Sequence, residues 1–323
     1  MSSPIVKVSD LWVRYPLGRA GLFRKIYVHA VNGVSLEIGK GEIVGLIGES
    51  GSGKTTLGKA ILRLIDIYKG NVFWNNVNVT RLKDGKLRSM RKDFQLIQQD
   101  PYGSLDPRMT IYEILAEGLR LHHLVNSPEE EREEIYNILR VVKLSPPEVF
   151  ANKRPNELSG GQRQRVVVAR ALLLKPKFIV ADEPVSMLDA STRGQILEFI
   201  LNDREKRGTS YLFITHDISI ASYVSDRIAV MYLGKIVEIG KTEEVISEPL
   251  HPYTQALLQA VPVPDPEVGI REPTIKGEVQ SPIELPKGCV FYPRCPFAKD
   301  ICKVEEPKLR KVKGDHYVAC HLY

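Results

Sequence analysis

Gly48-Glu49-Ser50-Gly51-Ser52-Gly53-Lys54-Thr55 fits the phosphate-loop pattern G-x-x-x-x-G-K-[ST]. It follows an apolar run, Ile43-Val44-Gly45-Leu46-Ile47, that reads as a buried strand. It leads into Thr55-Thr56-Leu57-Gly58-Lys59-Ala60-Ile61-Leu62, which reads as a helix. Strand, glycine-rich turn and helix in this order are the context the motif needs. The glycines free the backbone to turn its N–H groups inward on phosphate oxygens. The helix N-terminus adds positive potential. Lys54 is expected to reach the β and γ phosphates and Thr55 to ligate Mg²⁺. The expected nucleotide-binding set is Gly48, Glu49, Ser50, Gly51, Ser52, Gly53, Lys54, Thr55 and Thr56. A phosphate loop gives nucleotide binding and no more, because many unrelated tasks use it.

Working outward, two further runs read as buried strands: Phe178-Ile179-Val180-Ala181 and Tyr211-Leu212-Phe213-Ile214. Continuous apolar strands suit a sheet covered on both faces, so residues 1–248 are read as one α/β domain. Charge and helical periodicity rise between about 88 and 165, with Glu129–Val142 as the clearest helix, which marks an inserted helical subdomain. Prolines crowd residues 249–286, read as an extended connector. All four cysteines lie in the last segment, 287–323.

The second strand ends in Asp182-Glu183. Asp182 is placed to hold Mg²⁺, and Glu183, one residue on, to polarise an attacking water. Upstream, Leu158-Ser159-Gly160-Gly161-Gln162 precedes a helical pattern from Arg163 to Ala171. Serine and two glycines at a helix start make an N-cap and an anion site.

With these motifs in this order the chain resembles the ABC ATPases, and Leu158–Gln162 matches the family signature letter for letter. The resemblance implies a P-loop NTPase domain with an antiparallel β subdomain and an inserted helical subdomain. It also implies a head-to-tail pair of ATPases in which Ser159, Gly160, Gly161 and Gln162 close over the nucleotide held by the partner's phosphate loop. Gln99, in Gln98-Gln99-Asp100-Pro101, matches the glutamine that senses Mg²⁺; Gln98 is its neighbour, and the Asp-Pro that follows favours Gln99. His216, in Thr215-His216-Asp217, matches the switch histidine, giving a catalytic set of Lys54, Gln99, Glu183 and His216 with Mg²⁺ held by Thr55, Gln99 and Asp182. Ser186-Met187-Leu188-Asp189 matches the dimer-contacting loop, with Met187 where the family usually has alanine. Tyr15 is the expected adenine-stacking aromatic and Tyr27 the alternative.

Gln99–Met109, His251–Leu258 and the cysteine-bearing tail resemble one branch of that family, the oligopeptide and dipeptide importers. They look most like the second, F-type ATPase subunit. That implies a homologous second ATPase as a heterodimer partner, two membrane permeases and, indirectly, an extracytoplasmic solute-binding protein. Relatives carry dipeptides, oligopeptides, nickel chelates or oligosaccharides. A soluble ABC ATPase outside transport would carry two nucleotide domains or a long coiled-coil insertion, and neither is read here.

Cys289, Cys295, Cys302 and Cys320 suffice for a tetrahedral zinc site or a [4Fe–4S] cluster, and free thiols are the third reading. No pair has the C-x-x-C spacing of most zinc fingers. Resemblance to importer ATPases tips the expectation to the cluster, with His316 and His321 as candidates for a mixed-ligand site. A tail poor in apolar residues is read as a small domain needing such a staple.

The charge balance is consistent with this. The 323 residues carry a net charge of +6, spread without a basic stripe interleaved with aromatics, so no nucleic-acid partner is expected. No apolar run approaches the roughly 20 residues of a membrane helix, and Met1-Ser2-Ser3-Pro4 does not resemble a secretory leader. The expected place is the cytoplasmic face of a membrane, reached through partners.

Overall fold

The computed structural model describes residues 3–20, 24–260, 275, 277 and 280–323. Pro262, Pro264, Pro266 and Pro273 of the expected connector lie outside the described residues. The chain divides into two compact units. One comprises residues 1–5, 38–42 and 81–212; the other comprises 6–37, 43–80 and 213–323.

The first unit holds the helical insertion. Its helices include Ile111–Leu121, Pro128–Val141, Pro147–Ala151 and Gly160–Leu173. Their starts are written in the sequence. Thr110 and Glu113 form a reciprocal capping box, Ser127 caps the second helix ahead of Pro128, and three glutamates fill that helix's first turn. Glu131 is buried and takes two hydrogen bonds from Arg120 (2.7 Å each) and one from Tyr112 (2.9 Å), fastening one helix to the next. Strands Phe94–Ile97 and Phe178–Asp182 pair in parallel. The second is buried at every residue, as its apolar run requires.

The second unit contains an antiparallel layer in the order Arg24–Ile38, Val6–Ala20, Lys69–Trp74, Val77–Asn78. It also contains strand Ile43–Ile47, which pairs in parallel with Arg227–Tyr232. Arg227–Tyr232 pairs antiparallel with Lys235–Lys241, which in turn pairs with His316–Val318 near the C-terminus.

Two sequence expectations change here. Pro252 does not continue an extended connector; it opens a helix, Pro252–Gln259, because proline at the first helical position gives up an N–H that would have no partner. The cysteine-bearing segment is also not built around a core of its own. Val290 and Phe291 are buried in one cluster with Tyr232, Val237 and Tyr253, so its few large side chains complete the second unit's core. A buried carboxylate secures the join: Glu238, fully buried, receives hydrogen bonds from the backbone N–H groups of Leu250 and His251 (2.8 Å each) and lies 2.7 Å from His316 Nε2.

Candidate functional site

In the second unit, the phosphate loop leaves the buried strand Ile43–Ile47 and turns into the helix Lys54–Ile61. Its glycines are required by geometry. Gly48 and Gly53 have φ of 151° and 102°; a Cβ there would lie 2.2 Å from the Met231 carbonyl oxygen and 2.1 Å from that of Ala30. Gly53 is the N-cap and offers no side-chain acceptor, which leaves the first-turn N–H groups for an anion. Lys54 is buried. Its Nζ donates to the carbonyl oxygens of Gly48 (2.7 Å) and Glu49 (2.8 Å) and to Ser52 Oγ (3.4 Å). Thr55 is exposed on the helix's first turn. This backbone-lined turn is of the kind that takes a polyphosphate.

Tyr15 and Tyr27 fall in the same unit and differ in what they present. Tyr15 is 40% exposed. The Tyr27 ring lies 4.0 Å from the Arg14 guanidinium, which also covers Tyr68 at 3.4 Å. One face of Tyr27 is thus engaged by a cation, so Tyr15 is the more available ring. His216 is exposed at the end of strand Ser210–Thr215, just before Asp217, which caps the next helix.

In the first unit, strand Phe178–Asp182 delivers a buried Asp182 at its end. Glu183 follows with φ of 46°, a left-handed conformation costly for a residue with a side chain. The turn is held from two sides. Gln99 Nε2 donates to Glu183 Oε2 at 3.0 Å, and the buried Gln164 Nε2 donates to the Pro184 carbonyl at 2.9 Å. It is Gln99 that makes this bond to Glu183; Gln98 is an exposed neighbour.

The signature Leu158–Gln162 lies in the same unit, with Ser159 as N-cap of Gly160–Leu173. Ser159 Oγ accepts from Gln162 N–H (3.3 Å), while Gln162 Oε1 accepts from Ser159 N–H (3.0 Å). A Cβ on Gly161 would meet Thr192 Cγ2 at 2.8 Å, so that glycine lets two helix starts approach. The second of these is Ala190–Arg207, capped by Asp189, whose carboxylate accepts from Thr192 N–H and the Ser191 hydroxyl. The Thr192 N–H bond, first among these, holds its pKa down at about 2. Met187 is exposed.

The four cysteines, none in a disulfide, line one small cavity of about 10 Å³ in the second unit. Burial raises Cys289 to about 11 and also raises Cys295 and Cys320. Among the described residues, no group of three or more His, Cys, Asp or Glu side chains is arranged to hold a metal ion. His316 is engaged with Glu238 and does not line that cavity; His321 lines it, with its Nε2 on the Glu305 carbonyl. The arrangement does not by itself bear out a metal centre.

Sequence reasoning missed three residues that hold the site: Gln164, Tyr253 and Arg294. Gln164 carried a signal, two positions past the signature on a helix start. The other two lie some two hundred residues from the loop they touch, with no local pattern to mark them.

The comparisons agree with this geometry. Residues 31–186 match the family model described as ABC transporter, and residues 237–302 match the one described as oligopeptide/dipeptide transporter, C-terminal region. The chain is similar to a putative oligopeptide transport ATP-binding protein, YkfD, of Bacillus subtilis (strain 168), at 43% identity over 99% of this chain and 96% of the relative. It is similar to the oligopeptide transport ATP-binding protein AppF of the same organism, at 44% identity over 99% and 97%. Among solved structures, it matches the dimeric post-hydrolysis state of the ATP-binding cassette MJ0796 bound to ADP and Pi. That match has a TM-score of 0.67 and 33% identity, covering 73% of this chain and 98% of that one. It also matches CbiO1 of Clostridium perfringens, part of the transporter complex CbiONQ, with a TM-score of 0.65 and 25% identity over 76% and 92%. The chain belongs to the ABC transporter family, as an ATP-binding subunit of its oligopeptide and dipeptide branch.

Proposed function

We propose that this ATP-hydrolysing subunit drives import of oligopeptides or dipeptides, working at the cytoplasmic face of a membrane in a heterodimer with a homologous ATPase. Two permeases would couple to it, and an extracytoplasmic solute-binding protein would deliver the peptide. Support for a peripheral place is that, among the described residues, no helix is long and apolar enough to cross a membrane. The ATPase domain spans 1–248, and the region 249–286, which begins with the helix Pro252–Gln259, leads to the cysteine-bearing segment 287–323.

The reaction is ATP + H₂O → ADP + phosphate. Phosphoryl transfer asks a protein for positioning and charge stabilisation. Glycine-constrained N–H groups of 48–53 and the Lys54 ammonium take the β and γ phosphates. Tyr15 stacks on adenine. Glu183 accepts the proton of the attacking water, and Gln99 orients it. His216 holds the γ-phosphate, while the partner's signature serine, the counterpart of Ser159, completes the shell. Thr55, Gln99 and Asp182 would supply hard oxygen ligands for Mg²⁺, which would offset charge on the phosphoryl oxygens.

The observation that carries this reading is the Gln99–Glu183 hydrogen bond at a strained turn after a buried strand. A left-handed glutamate costs about 1–3 kcal/mol and persists where surroundings over-determine it. Glu183→Gln tests the assignment: Mg-ATP binding is expected to remain, and phosphate release to fall about 10²-fold or more. Unchanged turnover would remove Glu183 from its role.

For the cysteines we keep the [4Fe–4S] reading. It is supported by four thiols around one cavity. When bound, such a cluster supplies a structural cross-link or a redox-sensitive one. Anaerobic purification should yield a brown protein with about four irons per chain; a colourless protein carrying zinc would refute it.

A further inference from the structure

The helix-opening Tyr253 and the arginine beside Cys295 converge on one residue of the phosphate loop. Glu49 is held at three points. Its backbone N–H donates to the Tyr253 hydroxyl at 2.8 Å. Its carboxylate receives two hydrogen bonds from Arg294, at 2.8 and 3.2 Å. Its carbonyl oxygen is one of the acceptors that hold Lys54 Nζ. Glu49 therefore lies between the catalytic ammonium and two residues from the C-terminal part of the chain.

This is not the loose pairing of a surface arginine. The Arg294 side chain is only 10% exposed, lies near the Tyr232 ring and donates to the Tyr232 hydroxyl at 3.4 Å. Tyr232, Tyr253 and Phe291 pack with ring centroids 4.7 to 5.5 Å apart, which fixes the angle from which both donor and acceptor meet Glu49. A bidentate guanidinium–carboxylate pair out of water sets orientation as well as distance. Arg294 ends a single 3-10 turn, Tyr292–Arg294, that lies between Cys289 and Cys295. Its backbone is tied to Phe291, and that of Cys295 to Tyr292.

We propose that Arg294 and Tyr253 are positioning residues for the phosphate loop. They hold the Glu49 peptide in the orientation that places Lys54, and through Arg294 they make ATP affinity depend on how the cysteine-bearing segment is held. This rests on the phosphate-loop reading above.

The test uses the full chain in its assembled complex, with Mg-ATP as the probe. Glu49→Gln and Arg294→Gln are each expected to weaken Mg-ATP binding roughly tenfold, about the worth of a charge-assisted hydrogen-bonded pair. For Arg294→Gln, turnover at saturating ATP should stay within about twofold, because Arg294 does not meet the reacting atoms. The double variant should be no weaker than the worse single one. Arg294→Lys should recover part of the loss. Tyr253→Phe, which keeps the packed ring, should cost about threefold. A purely structural clamp would lower the melting temperature and leave affinity and KM unmoved; that result, or single effects that multiply, overturns the proposal. Cys295→Ser is expected to weaken Mg-ATP binding about threefold in the wild-type chain and not further beside Arg294→Gln. An equal loss in both, or none in either, overturns the coupling. Lys54→Ala separates the two readings. Loss of binding there with none in Arg294→Gln defeats the positioning role alone, and retained binding in both defeats the phosphate-loop reading.

Discussion

The phosphate loop and the signature Leu158–Gln162 both present polar backbone at a helix start, yet they are held in different ways. The loop is gripped by distant residues. Gly53 abuts Ala30, Ser52 accepts from Gly234 N–H, and Glu49 is held by Tyr253 and Arg294. The signature satisfies itself, since Ser159 and Gln162 close a capping box within four residues and Ser159 stands exposed. A loop that must turn its N–H groups on one ligand needs its shape imposed by the surrounding fold. In the proposed pairing, a signature that meets a nucleotide on another chain needs only a rigid, exposed helix start. Gln164 connects the signature helix to the turn after Glu183.

Predictions follow from breaking each side. Glu183→Gln has the largest effect, about 10²-fold or more in turnover with binding retained, read by phosphate release against nucleotide affinity. Gly53→Ala comes next. It forces a side chain into a left-handed turn against the Ala30 carbonyl and should remove measurable ATP binding, at a stability cost of about 3 kcal/mol or more by thermal melting. Ser159→Ala should lower stability by about 1 kcal/mol through the lost cap. It should leave ATP affinity of the isolated chain unchanged and reduce turnover only in the assembly.

A pH dependence tests the residues that hold the loop. Burial depresses His251 to about 3, and its Nδ1 accepts from Tyr253 N–H, so the folded state holds it neutral. The unfolded chain protonates it near 6.5. Stability from this group is therefore full above about 6.5 and declines as pH falls toward 3, by up to about 1.4 kcal/mol per pH unit. Replacing His251 with Asn should flatten that part of the melting profile; an unchanged slope would mean the histidine is not neutral when folded.

The two regions also differ in how far they could be read in advance. The phosphate loop, the acidic strand end and the signature were legible because their chemistry is local: a few consecutive residues set both backbone and function. Gln99 stands out by its Asp-Pro neighbours, and it is Gln99 that hydrogen-bonds Glu183. The left-handed φ of Glu183 had no local signal, because it is imposed by contacts from Gln99 and Gln164. Arg294 and Tyr253 were illegible for the same reason, lying 245 and 204 positions from Glu49. The tail reads as a body of its own because its apolar residues are few. That scarcity was real, and the structure resolves it by lending Val290 and Phe291 to the core around Tyr232.

The central claim is that this phosphate loop is half of a site whose other half is a signature on a second chain. Turnover per chain, measured across a dilution series from assembled to dissociated, tests it most directly. The account expects specific activity to collapse as the assembly dissociates, while Mg-ATP still binds the separated chain. Constant turnover per chain through full dissociation would contradict it.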